Sequence, residues 1–172
     1  MEKRIIAFVV LVSMSVGLVS VASTASCNIK VRGYVGRRMD SCLQNHLLKH
    51  DAVYLTDPYK DKTEDHYWQC EFWGKWMHSA APFLMKLKME NGESRIADEL
   101  RANIATSVEN LLPCQEACGY LGNYAPSARC GISSKTEYGG WDVWCQKYTL
   151  LGLLYAHECL GASGTWWRRD DR

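Results

Sequence analysis

Net charge is almost missing from this chain. Twenty Lys and Arg face nineteen Asp and Glu, for a formal charge of +1. The basic residues are scattered, which excludes the concentrated positive surface that nucleic acid or an anionic membrane would require. Phenylalanine is scarce too: three Phe stand against seven Trp and nine Tyr. The aromatic content therefore resides in side chains that join a large apolar face to a polar handle, as binding sites for sugars and other amphipathic ligands do. No segment alternates apolar and polar residues over the length of a strand, so a sheet is not expected. No His-Glu-x-x-His run occurs among the five histidines, and a zinc-protease reading has no support.

A long uninterrupted apolar run is also lacking. Met1-Glu-Lys-Arg4 is basic, Ile5 to Val12 is apolar, and small residues fill positions 22–26. Ser13, Ser15, Gly17 and Ser20 break the run well short of the ~20 residues that span a bilayer. The order of basic, apolar and small residues predicts a secretory signal peptide over residues 1–25, and hence a secreted or periplasmic protein with no membrane attachment after processing. Cys27 follows the small residues, but Thr24 stands where a lipid-attachment motif normally has leucine. Residues 26–162 then make one domain by length, and 163–172 an irregular tail without helical period.

Eight cysteines in an exported chain suggest disulfides. Their spacing is irregular, and Cys70, Cys145 and Cys159 sit inside helical patterns as buried thiols do. A staple in the loop, joining Cys130 to Cys114 or Cys118, is the expected pairing, with connectivity open.

Helical periodicity recurs four times, which predicts an all-α fold of antiparallel helix pairs. The first helix, residues 36–52, places Met39, Leu43, Leu47 and His50 on one side. The second, residues 65–89, carries Trp68, Phe72, Trp73, Trp76, Met77, Ala80, Leu84 and Leu87, with a kink expected at Pro82. The third, residues 94–112, sets Ile96, Leu100, Ile104, Val108 and Leu111 against Asp98, Arg101 and Glu109. Ser94 caps it and Pro113 follows its end. The fourth opens at Trp141 and stops at Gly161. Trp141, Trp144, Tyr148, Leu151, Tyr155 and Cys159 share one face, while Leu150, Leu153 and Leu154 cover much of the other. A helix apolar nearly all round is expected to be enclosed.

Residues 113–140 form a connection too long for an ordinary turn and, with Tyr120, Tyr124 and Tyr138, too aromatic for a disordered one. It is read as an ordered binding loop facing the polar first turns of the fourth helix, at Asp142, Gln146 and Lys147. An apolar helix with polar groups at its mouth suits a small-molecule pocket, and a core helix with a solvated first turn fits the same pattern. Carboxylates near the aromatic segments are Glu64, Asp65, Glu71 and Asp142, and Glu71 and Asp142 share that mouth. Cys114, Glu116, Cys118 and Cys130 offer metal-ligand chemistry, yet an oxidising compartment favours disulfides over zinc. Cys145 reads as a structural thiol rather than a nucleophile.

Three runs together, Trp68-Gln-Cys-Glu-Phe-Trp-Gly-Lys-Trp76, Gly119-Tyr-Leu-Gly-Asn-Tyr-Ala-Pro126 and Trp141-Asp-Val-Trp-Cys-Gln-Lys-Tyr-Thr-Leu-Leu-Gly-Leu-Leu154, resemble the N-terminal part of glycoside hydrolase family 127, the β-L-arabinofuranosidases. The resemblance covers residues 29–161. It implies the opening helices of an (α/α)6 barrel, here incomplete, with the long loop at the substrate mouth. It further implies a sugar pocket formed by Glu71, Trp73, Asn123, Tyr124, Trp141, Asp142, Lys147 and Tyr148, and an arabinose-containing glycan as partner. The family's cysteine nucleophile, zinc ligands and acid/base glutamate come from later in its barrel and have no counterpart here. Glu116-Ala-Cys118 lies in the wrong part of the pattern to take a zinc role. The expected chain is thus a fragment of a secreted glycosidase with no catalytic residues and no metal of its own, and the competing expectation is a stand-alone carbohydrate-binding protein. Either way, a helix built for a barrel should leave one flank of the Trp141–Leu160 segment open to self-association.

Overall fold

The computed structural model describes residues 30–64, 67–91, 94–131 and 140–161. The predicted signal peptide, Cys27, Asp65, Tyr138 and the tail lie outside the described residues. The described chain is all-helical. Its elements are α1 (Gly33–Cys42), α2 (Ala52–Thr56), α3 (Glu71–Asn91), α4 (Arg95–Leu111) and α5 (Trp141–Leu160), joined by short 3-10 and π turns. Among the described residues the only β pairing is an isolated bridge between Glu64 and Tyr124. An (α/α)6 barrel is a finer assignment than these helices establish.

The first predicted helix divides in two. α1 ends at Cys42 and runs into a single π turn, Leu43–Leu47, closed by the Leu48 N–H on the Leu43 carbonyl at 3.0 Å. A new helix starts after Asp51, whose carboxylate accepts from the Val53 and Tyr54 N–H groups at 2.8 and 3.3 Å. That Asp is an N-cap signal inside an apparently continuous pattern. The second helix begins at Glu71 rather than Asp65, because the preceding residues serve other contacts. Glu64 bridges to the loop, and the Tyr59 hydroxyl donates to the Cys70 carbonyl at 2.5 Å, anchoring the turn that launches α3. α3 continues through Pro82. Pro82 and His78, whose carbonyl loses its donor, both lie on the exposed side, so the freed carbonyl is not sealed in the core.

The third helix matches its pattern closely. Ser94 Oγ accepts from the Ala97 N–H at 3.3 Å, and Leu100, Ile104, Val108 and Leu111 are buried. Ile96 is the exception: Ala97 takes the inward position one residue on and leaves Ile96 exposed.

The centre of the molecule is the pair α3 and α5, which run parallel rather than antiparallel as the pattern predicts: Glu71 meets Trp144, His78 stacks on Tyr155 and Lys88 reaches the Cys159 carbonyl, because the long loop returns the chain to the start of α3. The geometry of the pair depends on small residues. The face of α5 that α3 covers is Cys145, Thr149, Gly152, Ala156 and Cys159, spaced three and four apart, rather than the aromatic face. Gly152 lies under the Trp73 ring, where an added Cβ would come within 2.5 Å of a ring carbon. Gly74 faces the α5 backbone so closely that a Cβ would fall 2.2 Å from the Tyr148 carbonyl oxygen. Trp73, Met77, Ala80, Ala81 and Leu84 of α3 continue this interior into α4 through Leu100, Ile104 and Leu111. Contrary to the expectation of an enclosed α5, its other face is open. Val143, Leu150 and Leu154 are 54, 61 and 64% exposed.

Candidate functional site

The described part of the loop, residues 113–131, is held by a network centred on Tyr120. Its hydroxyl donates to Asp142 Oδ1 at 2.7 Å and accepts from the Tyr124 N–H at 3.0 Å. Burial, and then the Asp142 carboxylate, push the Tyr120 phenol well above its usual range. The other oxygen of Asp142 accepts from the Cys130 N–H at 2.9 Å. Asp142 is buried and holds two turns of loop onto the first turn of α5.

Arg129 covers the outside of this knot, its guanidinium 3.6 Å from the centre of the Tyr120 ring. It also grips Glu116 with two bonds of 2.7 and 2.9 Å. That fork holds the Glu116 carboxyl below its normal range. Lys62 ties the loop to the middle of the chain: its ammonium donates to the carbonyls of Tyr59, Cys114 and Gly122 at 2.5, 3.0 and 2.6 Å. Three donors meet three carbonyls, so the charge is fully solvated by backbone.

Beside this knot the start of α5 presents a strip of aromatic rings to solvent. Trp68 and Trp141 lie 5.1 Å apart between ring centres, Trp141 and Trp144 5.9 Å, and Trp144 and Tyr148 5.3 Å. Lys147 lies over two of them, 3.5 Å from the Trp144 ring centre and 4.1 Å from that of Tyr148. Under the strip, Glu71 accepts from the Trp144 indole N–H and pairs with Lys75 at 2.8 Å, while Lys75 lies 5.1 Å from the Tyr148 ring centre. Trp68 and Trp144 remain 40 and 38% exposed.

The eight residues expected in a pocket therefore separate into two groups. Trp141, Lys147 and Tyr148 reach the surface strip, with Glu71 buried directly behind it. Trp73, Asn123, Tyr124 and Asp142 are buried. Trp73 packs on Gly152, and the Tyr124 hydroxyl donates to the Tyr67 carbonyl at 2.9 Å. The Asn123 side-chain oxygen and the Trp73 indole N–H are both buried without a protein partner. Trp68 and Lys75 complete the strip and were missed as site residues, although both sit in an aromatic run that sequence alone displays. Concave surface lies elsewhere, on the α1–α2 side of α3. A cleft of 540 Å³ is lined by His46, His50, Tyr54, Phe72, Lys75 and Ser79 among others, and one of 430 Å³ adjoins it past Tyr54 and Phe72.

Zinc, which the resemblance associates with the complete family enzyme, does not fit the loop. Both oxygens of Glu116 are occupied by Arg129, and the Cys114 thiol turns back to the Asn110 carbonyl at 3.5 Å. Among the described residues no group of three or more His, Cys, Asp and Glu is arranged around a common point. The expected loop staple is not formed either: all seven described cysteines are free thiols. Among the described residues, no helix is long and apolar enough to cross a membrane. No protein-family model, curated protein or solved structure matches the chain.

Proposed function

We propose that the chain binds carbohydrate on the Trp68–Trp141–Trp144–Tyr148 strip, as the helical part of a secreted glycosidase-like protein, and does not itself cleave the glycan. The observation that carries this reading is the strip: adjoining rings, partly exposed, with Lys147 lying over Trp144 and Tyr148, Lys75 beside Tyr148 and Glu71 buried behind them. Ring faces take the C–H surface of a sugar while polar groups at the rim bond its hydroxyls. Hydrolysis by a carboxylate pair needs one carboxyl group placed to donate a proton and a second to act as nucleophile or as base on a water. Asp142 and Glu71 are instead both buried and hydrogen-bonded within the fold, which supports binding over catalysis. The resemblance to glycoside hydrolase family 127 points to arabinose-containing oligosaccharides as the ligand class. Tryptophan fluorescence titrated with arabinofuranosyl oligosaccharides tests the proposal. Saturable change in the wild type, lost in Trp144→Ala and retained in Phe72→Ala, is expected, and equal response of both variants would remove the strip from the site.

The open face of α5 favours a second element of the same reading. Val143, Leu150, Leu151 and Leu154 form an exposed apolar flank, and a second copy of this chain covers it. Export with loss of the first ~25 residues belongs to the proposal as well, and the mass of the exported product measures it directly.

A further inference from the structure

The cleft that the π turn and α2 form against α3 carries chemistry that sugar binding does not use. His46 lies in the π turn that ends α1, and the His50 N–H returns to the His46 carbonyl at 3.2 Å. That turn puts residues four apart on one face, and the two imidazole rings sit 4.4 Å between centres, edge to face. We propose that His46 and His50 form a two-imidazole chelate for a divalent transition-metal ion at the rim of the 540 Å³ cleft.

Two cis nitrogen ligands about 2.0–2.1 Å from a metal lie roughly 3 Å apart, a separation that side-chain rotation achieves from rings this close. Both imidazoles line the cleft, so its volume is open to the waters or ligand atoms that complete the coordination sphere. Imidazole suits Ni, Cu and Zn and discriminates against Mg and Ca, which take oxygen.

The charged group facing the same cleft is Lys75, and its ammonium is compensated by Glu71 at 2.8 Å. Asp51 lies just beyond His50 and spends its carboxylate on the N-cap of α2. Among the described residues that line the cleft, Lys75 is the one Lys or Arg, and it carries its own counter-charge.

The test is isothermal titration of a tag-free full-length chain with Ni²⁺ at pH 7.5. A Cys118→Ser/Cys130→Ser background keeps the two thiols exposed among the described residues from competing. Saturable binding of one equivalent is expected, weakened about tenfold or more by His46→Gln and by His50→Gln. Paramagnetic broadening by Ni²⁺ of the His46 and His50 ring resonances, read by NMR on the unsubstituted chain, gives a location that does not depend on variants. Absence of saturable binding, or either single variant with wild-type affinity, or broadening confined to other residues, overturns the two-imidazole site.

Discussion

At the scale of single residues, Asp142 and Lys62 do more for the loop than any apolar contact in it. Removing the Asp142 carboxylate strands the Tyr120 hydroxyl and the Cys130 N–H. Asp142→Ala is therefore expected to cost about 2–4 kcal/mol, against under ~0.5 kcal/mol for Glu109→Ala on the exposed side of α4, as read from urea midpoints. The thiols give a second readout at this scale. Burial pushes Cys145 up to about 12 and Cys159 up to about 11, and Cys70 rises further. The reactive species is the thiolate, so at pH 8 iodoacetamide should label exposed Cys118 and Cys130 rapidly, while Cys70, Cys145 and Cys159 wait for unfolding. Mass mapping of the early product checks this, and early label on Cys145 would contradict its place in the core. Acid should loosen the Glu116–Arg129 fork. A carboxyl with a depressed folded pKa contributes its stability above the ordinary value of 4.5 and loses it as pH falls through the folded value.

At the scale of elements, the α3–α5 contact is set by two glycines facing opposite helices. Gly74→Ala places a methyl group against the Tyr148 carbonyl, which is backbone and has nowhere to go, so the helices must separate. Gly152→Ala meets the Trp73 ring instead. Both substitutions raise intrinsic helix propensity by ~1 kcal/mol, yet overpacking of 1–3 kcal/mol or more opposes this gain. Gly74→Ala is expected to lower the thermal midpoint more than Gly152→Ala, because a buried ring shifts more readily than a helix backbone. A stabilised Gly74→Ala would show that the helices stand further apart than described.

At the scale of the whole molecule, the open flank of α5 governs behaviour in solution. Leu150 and Leu154 are one turn apart and mostly exposed, with Val143 and Leu151 adjoining. Light scattering after size exclusion should show self-association that rises with concentration and is abolished by Leu150→Glu/Leu154→Glu, with the helical circular dichroism unchanged. A wild-type monomer at all concentrations would leave the flank as ordinary surface. In the same preparation no release of chromophore from an aryl β-L-arabinofuranoside is expected, with or without added zinc.

What sequence by itself determined was local. The Ser94 cap, the apolar face from Leu100 to Leu111, the Trp141 start and the Gly161 stop of α5 depend on neighbours three or four residues away, and period and capping report those directly. The same holds for the absence of strands from the described chain and for an aromatic cluster at Trp141, Trp144 and Tyr148. Which face of α5 turns inward was decided only in three dimensions. Apolar periodicity nominates the large rings, but two helices approach most closely where both carry small residues, so Gly74 and Gly152 claimed the interior and left the rings at the surface. The roles of Tyr120, Arg129 and Lys62 were hidden for a related reason. Lys62 bonds a carbonyl sixty residues away and Tyr120 a carboxylate on α5, partners that exist only once the fold has brought them together, while Arg129 finds Glu116 and Tyr124 within the loop itself, where no helical period marks the pairing.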